Sequence, residues 1–275
     1  RFLTSVMGPT GGSTFSNSGE SGTANVSFRL SVNVANGRSQ YYKNFNVASY
    51  PGLFSSYDQQ RAFFKESEAG KAVWEDLTKK SNSKLIMYNP VGPVMTFSSA
   101  RELTGIDVMK GLKARALLKS ERPMWDAYEA NTVSLPTGEV YTALQTGMID
   151  TINSPPGSIE AYSWWEYLEY AQKPYQYFAD AYIMANRDWF DSLPADLQGL
   201  VMEVGAEVGE LATNTILDAG ENTLSKFVDR GGIVTTLSGS EKAKFNAMMA
   251  DKVMPAMADM FDSEVLLEAE KFASQ

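Results

Sequence analysis

An α/β fold arranged as two lobes is what this sequence predicts, and three observations carry the prediction. Between Gly111 and Thr151 short apolar segments alternate with helical ones in the order βαβαβ, which calls for parallel strands joined by crossover helices. From Ser192 onward the pattern is mainly helical, with a single strand inserted before the last helix. The length of 275 residues, at roughly 150 per domain, suits about two domains or one large two-lobed one.

Taken in order, residues 8–24 are rich in Gly, Ser and Thr and read as a loop or mobile segment. A phosphate cradle does not fit there, because Ser13-Thr14 follow Gly12 directly and the lysine of a Walker loop is missing. Val26, Phe28, Leu30, Val32 and Val34 then alternate with polar residues, as a half-buried antiparallel or edge strand would. Asp58 to Leu77 follows a helical period with Ser56 as cap, and Gly70 is expected to divide it into two shorter helices. Leu85–Tyr88 and Val94–Phe97 read as two strands separated by a turn through Asn89-Pro90 and Gly92-Pro93.

Within the βαβαβ stretch the strands are placed at Lys113-Ala114-Arg115, Val133-Ser134-Leu135 and Met148-Ile149-Asp150, with helices at 124–130 and 138–146. Ligands of such sheets gather at the carboxyl ends of the strands. Ser158 to Gln172 is expected to be a long helix whose Tyr162, Trp164, Trp165, Tyr167 and Tyr170 either pack between lobes or wall a pocket. Another long amphipathic helix starts near Pro194, with Leu197, Leu200, Val201, Val204, Val208 and Leu211 at helical spacing, and ends at Gly231-Gly232. Ile233 to Leu237 is the strand that follows. Ser238 and Glu241 form a capping box for a Met-rich final helix, in which Met248, Met249, Met254, Met257 and Met260 are read as core filler.

Composition excludes much chemistry. With no Cys and no His there is no thiolate nucleophile, no imidazole base and no zinc site of ordinary type. A formal charge of −9 disfavours nucleic acid as a partner. No apolar run approaches the roughly 18 residues needed to span a bilayer, so a soluble chain that is not membrane-embedded is expected. A sequence that opens on Arg1 rather than Met reads as a processed product whose signal peptide has been removed.

Gly111-Leu112-Lys113-Ala114-Arg115, followed by the run from Leu135-Pro136-Thr137-Gly138-Glu139 to Met148-Ile149-Asp150, resembles the extracytoplasmic solute-binding proteins of TRAP transporters, the DctP-like family. Tyr88 to Phe97, Trp189 to Pro194 and the closing helix, Gly-Gly, strand and helix extend the resemblance from about Tyr50 to the end. It implies a two-lobed periplasmic-binding-protein-like fold with a long connecting helix. Lobe I would comprise residues 1–91 and about 181–220, and lobe II residues 92–180 and about 221–275. Nothing in residues 1–44 reproduces the family's first half-lobe, which leaves three readings open: a shortened or atypical first lobe, an incomplete chain, or a different function at the N-terminus.

The resemblance further implies a periplasmic receptor of a Gram-negative bacterium. It would close over one small organic acid, deliver it to sodium-coupled TRAP membrane subunits, and need no cofactor. The arginine of the family's GLKxR segment grips the ligand carboxylate, and here that position is Arg115; a guanidinium offers a planar fork of donors and stays charged. Asn153, Ser154 and Thr137 are the candidate neutral contacts, with Trp164 and Trp165 as candidate apolar walls. Many members carry a further arginine near the position of Met95 and an aromatic at that of Thr137. Their absence points away from a C4-dicarboxylate or sialic acid and towards a monocarboxylate. A carboxylate-based enzyme, such as a glycosidase using two of Glu139, Asp150, Glu160 and Glu166, is the alternative. A calcium-bridged ligand, held through Asn153 or Glu166, is a variant of the receptor reading.

Overall fold

The computed structural model describes residues 6–7, 12–14, 30–34 and 43–274. The Gly-rich stretch at 8–24 and the start of the strand expected from Val26 therefore lie largely outside the described residues. Among the described residues nine strands join into one mixed sheet: β1 (Val6–Met7), β2 (Gly12–Thr14), β3 (Leu30–Val34), β4 (Ser83–Ser98), β5 (Lys113–Arg115), β6 (Asn131–Val133), β7 (Thr151–Ser154), β8 (Tyr170–Asn186) and β9 (Ile233–Thr236). The order is β1-β2-β3-β8-β4-β7-β5-β6, with β9 beside the start of β8. β5, β6 and β7 pair in parallel, as the alternating pattern requires.

Two long antiparallel strands, β4 and β8, run through both halves of the molecule. Around their Ser83/Asn186 end, α1 (Tyr57–Glu66), α2 (Glu68–Lys80) and α10 (Ser263–Ala273) build a core of Phe45, Phe63, Phe64, Leu77, Tyr182 and Ala269. Around the Ser98/Tyr170 end, one core on each face of the sheet holds α3 (Arg122–Ala127), α4 (Val140–Gln145), α5 (Pro156–Ala161), α8 (Gly239–Met248) and α9 (Met254–Met257). The expected division placed 221–275 with the second lobe. α10 instead packs Val265, Leu266, Ala269 and Phe272 with the first-lobe core.

Four local expectations are corrected. The helix break lies at Ser67, whose hydroxyl caps α2 by accepting from Gly70 N at 2.9 Å. Gly70 serves a different need, since a Cβ there would stand 2.2 Å from the Phe63 carbonyl oxygen where the two helices touch. Leu85–Tyr88 and Val94–Phe97 belong to one strand, β4, because Pro90, Gly92 and Pro93 sit inside the ladder opposite Asp180, Ala179 and Phe178, at a register shift. The expected helix from Ser158 to Gln172 ends at Ala161; Ser163 takes a left-handed conformation (φ 56°), and Tyr170 already begins β8. The closing helix is divided: α8 passes through a π-turn at Met249–Val253 into α9, and α10 follows separately after Asp262.

α7 (Ala195–Asp229) is the long helix expected from Pro194, yet its orientation inverts the reading. The face laid on β4 is made of small residues, Gly205, Gly209 and Thr213. A Cβ at Gly205 would lie 2.5 Å from the Ile86 carbonyl oxygen, so helix and strand backbones are in direct contact. The Leu197-to-Leu211 stripe points outward.

Candidate functional site

β5 follows a tight turn at Gly111 (φ 74°), after which Leu112, Ala114 and Ala116 enter the core. Arg115 is the last residue of this strand and is only 3% exposed, the one buried cation among the described residues. Its Nε donates to the Leu135 carbonyl at 3.1 Å and its Nη2 to the Thr137 hydroxyl at 2.9 Å. The guanidinium stands 5.8 Å from the centre of the Trp164 ring, which in turn stacks on Tyr162. Among the described residues Nη1 makes no hydrogen bond, and no carboxylate comes within ion-pair reach. Burial pulls the Arg115 pKa below its ordinary value, while the more distant Glu121 charge opposes the shift. An arginine cannot discharge at any relevant pH, so the cation remains and its charge is only partly balanced.

Glu121 was not expected from sequence. It is 4% exposed, accepts from Leu117 N at 2.7 Å, Leu118 N at 3.0 Å and the Tyr177 hydroxyl at 2.9 Å, and is pushed up in pKa by burial. The Lys119-Ser120-Glu121-Arg122 run reads as exposed charge, and no spacing in it signals a buried acid. Its three donors occupy it, which is why it does not close on Arg115.

The pleat divides the remaining candidates. Arg115 pairs in register with Ile152, and Met95 with Ser154, so Arg115, Ile152, Ser154, Met95 and Phe97 share one face of the sheet. Asn153 and Thr96 share the other. Ser154 Oγ donates to the Pro155 carbonyl. Asn153 Oδ1 accepts from Thr96 Oγ1 at 2.9 Å, and that hydroxyl accepts from Gln176 Nε2. Among the described residues Asn153 Nδ2 and Gln176 Oε1 are enclosed without a partner, one donor and one acceptor, an arrangement that ordinarily costs about 1–3 kcal/mol per group. Thus Arg115, Thr137 and Trp164 come together, Asn153 lies behind them, and Trp165 is elsewhere. Trp165 carries Arg230 over its ring at 4.8 Å and lines a separate cavity of about 490 Å³ with Leu168, Phe227 and Gly232.

Three of the four acids considered for catalysis, Asp150, Glu160 and Glu166, have structural partners. Glu160 pairs with Lys226 at 2.7 Å and accepts from Thr223, Glu166 accepts from the Tyr141 hydroxyl at 2.6 Å, and Asp150 Oδ1 accepts from Lys113 N at 2.8 Å. Among the described residues no three acidic side chains gather as a metal site would need, and no helix is long and apolar enough to cross a membrane.

The profile of the bacterial extracellular solute-binding protein family 7, DctP, matches residues 29–259. The chain belongs to this family. Among curated relatives, the C4-dicarboxylate-binding periplasmic protein DctP of Rhodobacter capsulatus is 26% identical over 232 residues, 82% of this chain and 67% of the relative. A solute-binding protein of Sulfitobacter sp. is 25% identical over 217 residues, 74% of this chain and 65% of its own length. The chain thus spans about two thirds of the length of the curated relatives it matches.

The fold agrees with solved structures of family members. A sugar acid binding protein from Advenella mimigardefordensis in complex with galactonate superposes with a TM-score of 0.82 at 19% identity, covering 89% of this chain and 78% of that one. A TRAP periplasmic solute binding protein from Shewanella oneidensis with bound succinate gives 0.81 at 22% identity, covering 89% and 79%. The two-lobed DctP fold expected from the sequence is therefore the fold of this chain.

Proposed function

We propose that this DctP-family chain is the periplasmic receptor of a TRAP transporter, capturing a small organic acid at Arg115 and passing it to sodium-coupled membrane subunits. One observation carries the reading: Arg115 is a buried cation with no anion beside it and part of its donor fork unused. A charge in that condition is costly unless something neutralises it, and a ligand carboxylate does so with two parallel hydrogen bonds. Leu135 and Thr137 fix the orientation of the fork, and the Trp164 ring holds its plane. The organic acids bound by the structural neighbours support the ligand class.

The ligand is a monocarboxylate on this reading. The position on the Arg115 face where the family resemblance leads one to expect a second cation holds Met95, fully buried and apolar. A second carboxylate would enter that surface unpaired. Ser154, on the same face, supplies a neutral contact, and Asn153 supports the strand from behind through Thr96. Micromolar affinity requires about −8 kcal/mol, more than one desolvated ion pair provides, so closure of the lobes over the apolar part of the ligand must contribute the remainder.

A thermal-shift screen tests both levels. Small hydroxy- or keto-monocarboxylates should raise the Tm by ligand linkage and succinate should not. A shift by dicarboxylates alone would overturn the ligand assignment, and a shift that survives Arg115→Ala would overturn the site.

A further inference from the structure

The outward face of α7 carries an apolar stripe that none of the described residues covers. Leu197, Leu200, Val204, Val208 and Leu211 are 43%, 52%, 43%, 42% and 68% exposed, and at 1.5 Å per residue they run for about 21 Å along one side of the helix. The helix cannot roll to bury them. Its opposite face is the glycine surface seated on β4, where even a Cβ at Gly205 would collide with the Ile86 carbonyl. Apolar residues at 3 and 4 spacing held in water form a contact face that the described residues do not use.

Charge says what kind of partner fits. Asp196, Glu203, Glu207 and Glu210 are exposed and lie about a quarter turn from the stripe, forming an acidic ridge along one border. None of them forms an ion pair among the described residues, and between Arg187 and Lys226 the sequence contains no Lys or Arg at all. Two copies of this helix laid together would bring acid against acid, and an anionic bilayer would be repelled in the same way. An apolar helix flanked by Lys or Arg meets both features, burying the stripe and neutralising the ridge.

We infer that the exposed face of α7 is a docking surface for a partner protein that presents an amphipathic helix with an apolar face and basic borders. The surface is remote in chemistry from the Arg115 site and does not depend on which ligand that site takes.

Three designed 21-residue helical peptides test it against the full chain by fluorescence anisotropy: Leu-faced with Lys borders, Leu-faced with Glu borders, and Ser-faced with Lys borders. The Leu/Lys peptide should bind at least tenfold more tightly than either control and weaken as salt is raised. A combined Leu200→Ser, Val204→Ser and Leu211→Ser variant, with circular dichroism and Tm checked against the parent, should weaken that binding tenfold or more. Glu203→Lys, Glu207→Lys and Glu210→Lys together should abolish the preference for Lys over Glu borders. Equal binding of all three peptides, no binding of the Leu/Lys peptide, or binding untouched by the serine variant would each overturn the inference. So would sedimentation equilibrium showing a dimer that the serine variant dissolves, since the occupant would then be a second copy.

Discussion

Among the described residues Arg115 and Asp180 are both buried ionisable groups without an ion-pair partner, and they differ in how the buried charge can be relieved. Asp180, 2% exposed on β8, accepts on Oδ2 from the Tyr88 hydroxyl and from Gln60 Nε2 at 2.9 Å. Burial raises its pKa to about 6, so it can shed its charge by taking a proton. Arg115 has no such exit, because a guanidinium cannot lose its proton in this pH range. A buried acid can neutralise itself in place; a buried arginine has to be met by an anion.

The comparison breaks first at Arg115. Arg115→Ala should cost about 2–5 kcal/mol in carboxylate binding, because the anion would be left unpaired in a dry site. Isothermal calorimetry with a ligand that stabilises the parent measures it, and unchanged affinity would remove Arg115 from the site. Asp180 should respond to pH instead. An acid whose native pKa stands above its unfolded one holds an extra proton in the folded state between the two values, so stability falls as pH rises through that interval. From about pH 4 to about pH 6 the loss should approach about 3 kcal/mol, and Asp180→Asn should flatten it, as urea melts at stepped pH would show. Parallel pH profiles for the two proteins would mean that Asp180 stays ionised.

Smaller effects sharpen the picture. Gly205→Ala should destabilise by about 1–3 kcal/mol, since the added methyl meets strand backbone and not a flexible side chain. An unchanged Tm would show that α7 can lift from β4. Thr137→Val should weaken ligand binding by about 1 kcal/mol, because the Arg115 fork loses one of the two acceptors that aim it. Affinity equal to the parent would mean that the Leu135 carbonyl alone orients the fork.

How much of this was legible in the sequence depended on which physical signal each element carried. β5, α3 and α4 read clearly because apolar period and turn residues agree there; the third strand came out three residues early, since Met148-Ile149 looks more strand-like than Thr151–Ser154, whose polar residues are buried by pairing on both sides. β4 was divided because proline usually ends a strand, and nothing local reveals that β8 will run beside it. The aromatics from Tyr162 to Tyr170 fit a helical period by accident of composition, and the left-handed Ser163 that breaks it has no sequence mark. At the proposed site Arg115 was singled out only through the family motif, and Thr137 stands where that motif departs from the family. Glu121 and Gln176 were not legible, because burial of a polar side chain is a property of the tertiary partners that surround it. α7 is the most instructive case: hydrophobic spacing located the helix but assigned its wrong side to the core, because contact between backbones selects glycine over leucine.

The prolines of β4 bear on how such a molecule could flex. Pro90 and Pro93 have no amide hydrogen, Gly92 between them holds a φ of 132°, and the register against β8 slips at this point. A two-stranded ribbon is stiff where its rungs are regular and compliant where they are interrupted, and of the three register shifts along this one, at Leu85/Met87, Pro90/Gly92 and Val94/Thr96, the middle one falls between the core at one end of the ribbon and the pair of cores at the other. Bending would concentrate over a few residues there, leaving the packed interiors on either side to move as intact bodies.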